Sequence, residues 1–522
     1  MKIVFVHLGK EHLGIEILSS LLKQEGHKVE LVWDVGLFSK VDSALHIPFL
    51  ERIFEKRNIA QEVAQKNPDL VAFSVYTTTY QWACDRAKEI KECLSVPIVF
   101  GGAHPTLVPE KVIAEPFVDY VHIGEGDETI IPFVNALERY RGMEGVKNIV
   151  YKKDGKIIKN QLCLPSKGLS DLPLPDKELF AGGILMKDDY AILTSKGCLY
   201  HCSFCGETYF NKLYKNKYFR RRSVDSVIEE LRVMKARYHF KEVMFWDAIL
   251  FTDKEYTEEL CARFKRDINV PFRCNGHVSL FNYEMGKTLK DAGCYCINFG
   301  VQTFNQKVRK EITGRHEKNA EIKEAFQICD DLQIRFDCDL MFGLPTMTEG
   351  DYVSALEFMA PYRYLNRFKC FYLSYYPRLP IVDESRKMGI LTDKDVEDIE
   401  AGRINDWFHT DFTKNLQQRR QKENFEKIYK IYPLIPVSLR ALIIKHRLYN
   451  RFHIIPSCLI VLVQLIIGIT HKDYRFRIHI NNYIFHFQKL IHMKQLASRS
   501  LFHGKQDRGF SRMTSNVRVV KN

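Results

Sequence analysis

Several things are missing from this chain of 522 residues. Its N-terminus, MKIVFVHLGKEHLGIEIL, has no basic segment leading into a long apolar run. It reads as a strand and a helix, so no signal peptide is expected. Nor is there a clean apolar run of the roughly 20 residues that a membrane span requires. The candidate stretch, Ile454 to Thr470, has 17 residues and carries Pro456 and Gln464, which predicts a buried or interfacial helix. The 14 cysteines, spread from Cys84 to Cys458, are not the dense, paired framework of a small secreted domain. They suit a reducing cytoplasm. Acidic residues are scarce at one end. From Ala441 to Asn522 there are 14 Lys and Arg against 2 Asp and Glu, so +12 of the formal charge of +13 lies there. The first 440 residues are nearly neutral and carry no nucleic-acid signal. What remains is an ordinary soluble composition, long enough for two or three folded domains.

Residues 1–140 alternate apolar strands with amphipathic helices. KIVFVHL, KVELVWD, DLVAFSVY, PIVFGG and YVHIGEG read as strands, with helices such as GIEILSSLLKQEG and YQWACDRAKEIKECL between them. The alternation predicts a parallel, doubly wound, flavodoxin-like sheet. Ligands of such sheets bind beyond the carboxyl ends of the strands. The loops there, Ser74 to Tyr80, Gly101 to Thr106 and Gly124 to Thr129, are rich in Gly, Ser and Thr. They are equally ordinary tight turns. Residues 141–185 read as a connector, with a hairpin at Asp154-Gly155 and a Pro-punctuated stretch, DLPLPDKELF.

From Tyr190 the alternation resumes with YAILTS, EVMFW, PFRCN, CINFG, RFDCDLMF and KCFYLSYY as strands. Six strand–helix units make a partial (β/α)₈ barrel over residues 186–392. Chemistry in such barrels sits at the carboxyl ends of the strands. Straight after the first strand comes GCLYHCSFCGE, which sets Cys198, Cys202 and Cys205 in one short loop. A zinc site wants four ligands. His201 and His239 exist, but no second Cys-x-x-Cys pair accompanies them. A 4Fe–4S cluster held by three thiolates, with one iron left open, fits the count better.

The Cys-x-x-x-Cys-x-aromatic-Cys loop resembles that of the radical S-adenosylmethionine (SAM) enzymes. FRRRSVDSVIEELRVMKARYHFKEVMFWDAILFTDKE, NFGVQTFNQKVRKEITGR, DLMFGLPTMTEGD and YLSYYPRLP are similar to later segments of that barrel. With the N-terminal sheet and its GG-x-H-P-T and GEG-acidic loops, the chain resembles the cobalamin-binding radical SAM class over about three-quarters of its length. The resemblance implies that Cys198, Cys202 and Cys205 bind the cluster, and that Phe204, Gly206, Asp247, Asn275 and Gln302 lie around SAM. Many relatives carry Glu where Gln302 stands. Asp247 is equally a strand-end cap. Arg315 is either a partner of the SAM carboxylate or a solvated helix-end residue. Ser74, Thr77, Gly101, Gly102, Gly124 and Glu125 match positions around a corrinoid. The Asp-x-His-x-x-Gly string of cobalt-ligating domains is absent, so the resemblance implies no histidine below cobalt, with His104 an outside candidate. Cys294, Cys296 and Cys338 fall on barrel strands, as core residues or as a thiol facing substrate.

The implied chemistry is reductive SAM cleavage to a 5′-deoxyadenosyl radical, hydrogen abstraction from substrate, and C-methylation through methylcobalamin. A radical cyclase or oxidoreductase, a corrinoid-free radical SAM enzyme, and a non-catalytic metal-binding interaction protein are the alternatives. The expected partners are a small-molecule or lipid-like substrate and an electron donor of flavodoxin or ferredoxin type, with no nucleic acid. The expected setting is cytoplasmic. Residues 393–505 read as a helical, basic region that either caps the open barrel with its basic face in water or rests on a membrane edge. Residues 506–522 read as disordered.

Overall fold

The computed structural model describes residues 1–37, 57–139, 142–166, 168–403 and 416–471, together with 473, 475, 478 and 480–488. The apolar runs of the first region become five parallel strands: β1 (Lys2–Leu8), β2 (Lys28–Asp34), β3 (Leu70–Ser74), β4 (Ile98–Gly101) and β5 (Tyr120–His122). They lie in the order β2-β1-β3-β4-β5. Alternate residues feed two cores. Val4, Val6, Val71 and Phe73 pack on one face, and Ile3, Phe5, Leu70 and Ala72 on the other. A sheet buried on both faces is what helical crossovers produce.

The hairpin β6 (Ile149–Lys153) and β7 (Lys156–Lys159) turns at Asp154 and Gly155, both at positive φ, and β6 pairs antiparallel with β5. The hairpin that the sequence assigns to the connector is therefore the edge of the first sheet. GGAHPT is also more than a loop, since Ala103–Leu107 forms a helical turn.

The barrel strands follow as β8 (Tyr190–Ile192), then a short antiparallel pair of β9 (Ser195–Lys196) with β10 (Arg220–Arg221), then β11 (Val243–Phe245), β12 (Phe272–Gly276), β13 (Cys294–Gln302), β14 (Arg335–Phe342) and β15 (Leu365–Tyr372). The six long-sheet strands are all parallel and lie in chain order, β8-β11-β12-β13-β14-β15. Each crossover helix begins where its sequence supplies a cap. The Ser223, Asp253 and Asn282 side chains accept hydrogen bonds from the first turns of Val224–Tyr238, Lys254–Asp267 and Tyr283–Asp291. Helix Asn319–Asp331 buries Ile322, Ala325 and Phe326, and Phe326 stacks on Phe336 at 4.4 Å. Phe326→Ala would cost about 3–5 kcal/mol. Cys294, Cys296 and Cys338 are buried in the strands.

Beyond the barrel, helix Leu416–Ile431 lies along β15, with the Tyr429 ring on Phe342 and Phe368. Buried Arg440 donates to the carbonyls of Met359, Ala360 and Tyr362 and so closes the end of helix Glu349–Met359. The chain then crosses the amino-terminal ends of the strands. His471 pairs with Asn366 Oδ1 at 3.1 Å, and Asp473 with Arg367 at 3.0 Å. Arg475 pairs with Asp337 and Asp473, and Asn481 donates to Asp188. This segment runs from the β15 side to the approach of β8 and forms the barrel floor. The floor itself is a buried ionic network. Residues 506–522 lie outside the described residues.

Candidate functional site

The cysteine loop opens with a tight turn at Gly197. It has φ 88°, and a Cβ there would lie 2.9 Å from Phe219 Cα. The segment after β13 then holds the loop. Ser203 N donates to Thr313 O (3.0 Å) and Ser203 Oγ to Ile312 O (2.5 Å). The near side is fixed by helix Gly206–Leu213, where Asn211 Nδ2 donates to Cys198 O and Thr208 Oγ1 to Cys202 O. None of the three thiols is in a disulfide. Burial raises all three pKa values, that of Cys205 to about 12; Cys198 and Cys205 also feel the charge of neighbouring thiols, and Cys202 that of Glu317.

Arg315 supplies the opposing charge. Its guanidinium lies 3.6 Å from Cys202 Sγ and 2.6 Å from Glu317 Oε1. It is buried beside the loop, so the solvated helix-end reading of Arg315 is wrong. Tyr200 stacks on His277 at 4.0 Å, and burial beside Arg315 pushes the His277 pKa down to about 3. Among the described residues no three His, Cys, Asp or Glu side chains converge on a single-ion site. A cubane takes each thiolate on a different iron, so its ligands need not converge in that way. His239 is the C-cap of helix Val224–Tyr238, ahead of β11 and so at the opposite end of the barrel.

The residues expected around SAM come from the cysteine loop and from the ends of β11, β12 and β13. Phe204 packs against the buried cluster that includes Val308, Leu344, Leu373 and Leu379. Gly206 begins its helix with open space where a Cβ would stand. Asp247 is fully buried and accepts from Thr194 N and Oγ1 and from Ser195 Oγ. Its carboxylate thus braces the strand end that leads into the loop. Asn275 Nδ2 donates to Asp247 O at 2.8 Å. Gln302 sits at φ 68°, where β13 and β14 shift register, and its amide lies near Gly300 and Arg315.

The sequence reading missed Asp339. Its Oδ2 accepts from Asn298 at 2.9 Å, while buried Oδ1 has no hydrogen-bond partner among the described residues. A signal was present: Asp337 and Asp339 stand on one face of a strand that otherwise, after Arg335, is apolar. Glu207, directly after the loop, was also missed. Burial and the charge of Glu125 push its pKa up to about 7.

The first sheet turns the carboxyl ends of its strands toward this mouth. Ser74 Oγ lies 2.9 Å from His12 Nε2, and Thr77 Oγ1 lies 3.0 Å from His104 Nδ1. Gly102, at φ 97°, leaves no room for a Cβ, which would lie 2.8 Å from Val75 N. His104 is fully buried and stacks on Tyr80 at 4.2 Å, a core position beneath the turn. Gly101 approaches His122, where a Cβ would lie 3.7 Å from His122 Cβ. Gly124 and Glu125 meet the barrel directly. Tyr214 Oη accepts from Glu125 N at 2.7 Å and lies where a Gly124 Cβ would stand. Arg220 pairs with Glu125, and Lys196 with Asp127. Buried Lys177, paired with Glu11 and Glu16, donates to Ala191 O and pins the sheet to β8. Tyr209, on the helix that follows the cysteine loop, donates to Thr106 O at 3.4 Å, so the loops of the first sheet lie against the mouth of the barrel.

Comparison with known proteins agrees with this architecture. Residues 192–359 match the Radical SAM superfamily and residues 3–132 the B12 binding domain, together more than half of the chain. The chain is 26% identical over 353 residues to an uncharacterized methyltransferase from Pyrococcus horikoshii, covering 66% of this chain and 72% of that protein. It is 22% identical over 409 residues to cytidylyl-2-hydroxyethylphosphonate methyltransferase from Streptomyces wedmorensis, covering 71% and 76%. Among solved structures, the cobalamin-dependent SAM radical enzyme OxsB, with aqua-cobalamin and SAM bound, superposes with a TM-score of 0.63 at 16% identity, covering 98% of this chain and 84% of that one.

Proposed function

Since the chain belongs to the cobalamin-binding radical SAM family, we propose that it methylates a carbon of a small-molecule or lipid-like substrate. The observation that carries this reading is the seam where the helix following the three-cysteine loop meets the carboxyl-end loops of the first sheet, through Tyr214 with Glu125 and Tyr209 with Thr106. The bound groups supply electron transfer, SAM cleavage and a methyl carrier.

The residues do the rest. Cys198, Cys202 and Cys205 hold the 4Fe–4S cluster, and Arg315 offsets thiolate charge at Cys202. Phe204, Gly206, Asn275 and Gln302 surround SAM, with Asp247 bracing the strand end and the open Asp339 oxygen offering an acceptor to a ligand donor. Ser74, Thr77, Gly101 and Gly102 form the corrinoid side, where the missing Cβ of Gly102 lets two loops approach. Gly124 and Glu125 hold the two sides together through Tyr214 and Arg220. Electrons come from a flavodoxin- or ferredoxin-type donor in a reducing, cytoplasmic setting, which agrees with the unpaired thiols.

The test is product analysis of anaerobically reconstituted protein given SAM, a reductant and hydroxocobalamin. Methylation chemistry yields S-adenosylhomocysteine, and radical chemistry yields 5′-deoxyadenosine. Formation of both is expected. 5′-Deoxyadenosine alone would overturn the methyltransferase assignment.

A further inference from the structure

From Lys427 to Lys472 the sequence has no acidic residue and seven basic ones. In the fold this stretch carries an uncovered apolar surface. Helix Ser457–Thr470 buries Ile460 and Ile467 against the molecule. It exposes Leu459, Leu462, Ile466 and Ile469, spaced by three, four and three residues along one face. Leu462 is 53% exposed and Ile469 63%. The preceding elements do the same. Val437, Leu439 and Leu442 stand out from helix Val437–Lys445, and Leu448 and Ile454 from the short 3₁₀ segment Leu448–Ile454, with Ile454 70% exposed. Soluble surfaces rarely leave so many large aliphatic side chains bare in consecutive elements. Exposed Lys445, Arg447 and Arg451 stand among them.

The pattern chooses the occupant. A second copy or a folded partner would have to match cations scattered through an apolar face. An anionic lipid bilayer accepts both, the aliphatic side chains below the headgroups and the cations at phosphate level. Among the described residues no single helix is long and apolar enough to cross a membrane. Leu448–Ile454 and Leu459–Thr470 pass such a test only as a pair bent by 114°. A 14-residue helix is about 21 Å long, short of the roughly 30 Å hydrocarbon core. We propose that this surface docks the protein in the plane of an anionic bilayer, without spanning it. Helix Leu416–Ile431 contacts both β15 and helix Ser457–Thr470, so docking brings the β15 edge of the barrel close to the lipid.

The experiment is flotation of the full-length, anaerobically reconstituted protein with phosphatidylcholine vesicles containing about one-third phosphatidylglycerol. Co-flotation is expected, falling several-fold in high salt and on pure phosphatidylcholine. The double variant Leu462→Glu/Ile466→Glu should lose at least about 90% of the floated protein while keeping its iron content and thermal transition. The milder Lys445→Gln/Arg451→Gln pair should weaken binding only to anionic vesicles. Failure of the unmodified protein to float would overturn the proposal, as would flotation that the double variant does not change. A dimer in sedimentation that the double variant dissociates would assign the face to a second copy and overturn it too.

Discussion

The two ends of the barrel use the same residue type in opposite ways. Asp337 and Asp339 stand two positions apart on β14. At the floor, Asp337 is paired with Arg475 and Lys369 and accepts from Asn366, and these cations hold its carboxyl well below the usual carboxylate range. Toward the mouth, Asp339 has Asn298 and a bare oxygen, and burial raises its pKa. Asp337 is closed off by the chain's own cations, whereas Asp339 keeps one buried oxygen without a hydrogen-bond partner among the described residues. A group left short inside a fold marks where something else is meant to bind.

The contrast can be broken most sharply at the mouth. Cys202→Ala should reduce iron after reconstitution from about four per chain to below one, as this cluster type requires, and abolish 5′-deoxyadenosine formation. Its urea midpoint before reconstitution should stay near that of the unmodified protein. Next in size is the floor. Arg475→Ala strips a buried carboxylate pair of its main cation and should cost about 3–5 kcal/mol in urea unfolding. Asp339→Asn, by comparison, should change stability by less than about 1 kcal/mol yet slow SAM cleavage at least about tenfold. If the two variants exchanged phenotypes, the division of the barrel into floor and mouth would fail.

Gly124→Ala tests the seam between the sheets. The residue is at φ 69°, and its Cβ would strike Tyr214 Oη. A loss of about 1–3 kcal/mol and faster proteolysis in the connector are expected. The smallest effect is in pH. The folded pKa of Asp337 lies below its unfolded value of roughly 4. Its contribution is therefore fully present above pH 4 and is lost as pH falls through the folded pKa. The stability gap between the unmodified protein and Asp337→Asn should stay flat from about pH 8 to 5 and narrow only below about pH 4.

Much of this was legible from residue order. The strands of both sheets and their parallel sense follow from apolar runs alternating with capped helices, because parallel strands buried on both faces leave few other readings. The cysteine loop was legible because three thiols in eight residues have no ordinary structural role. What stayed hidden depends on pairs far apart in sequence. Tyr214 meeting Gly124, Arg475 meeting Asp337 and the hairpin joining β5 leave no local pattern. Asp247 shows the limit in another way. A carboxylate at a strand end looks the same in sequence whether it faces a ligand or braces a neighbouring strand.

The pairing of Asp337 with Arg475 spans 138 positions. At translation rates of about 5–20 residues per second, β15 is complete roughly 5–20 seconds before Arg475 is made. For that interval the barrel has its strands but no floor, and Asp337 lacks its main cation. The lumen can be sealed only by nearly the last part of the described chain. Truncation anywhere between β15 and Arg475 would leave an open-ended barrel in which Asp337 lacks its main cation.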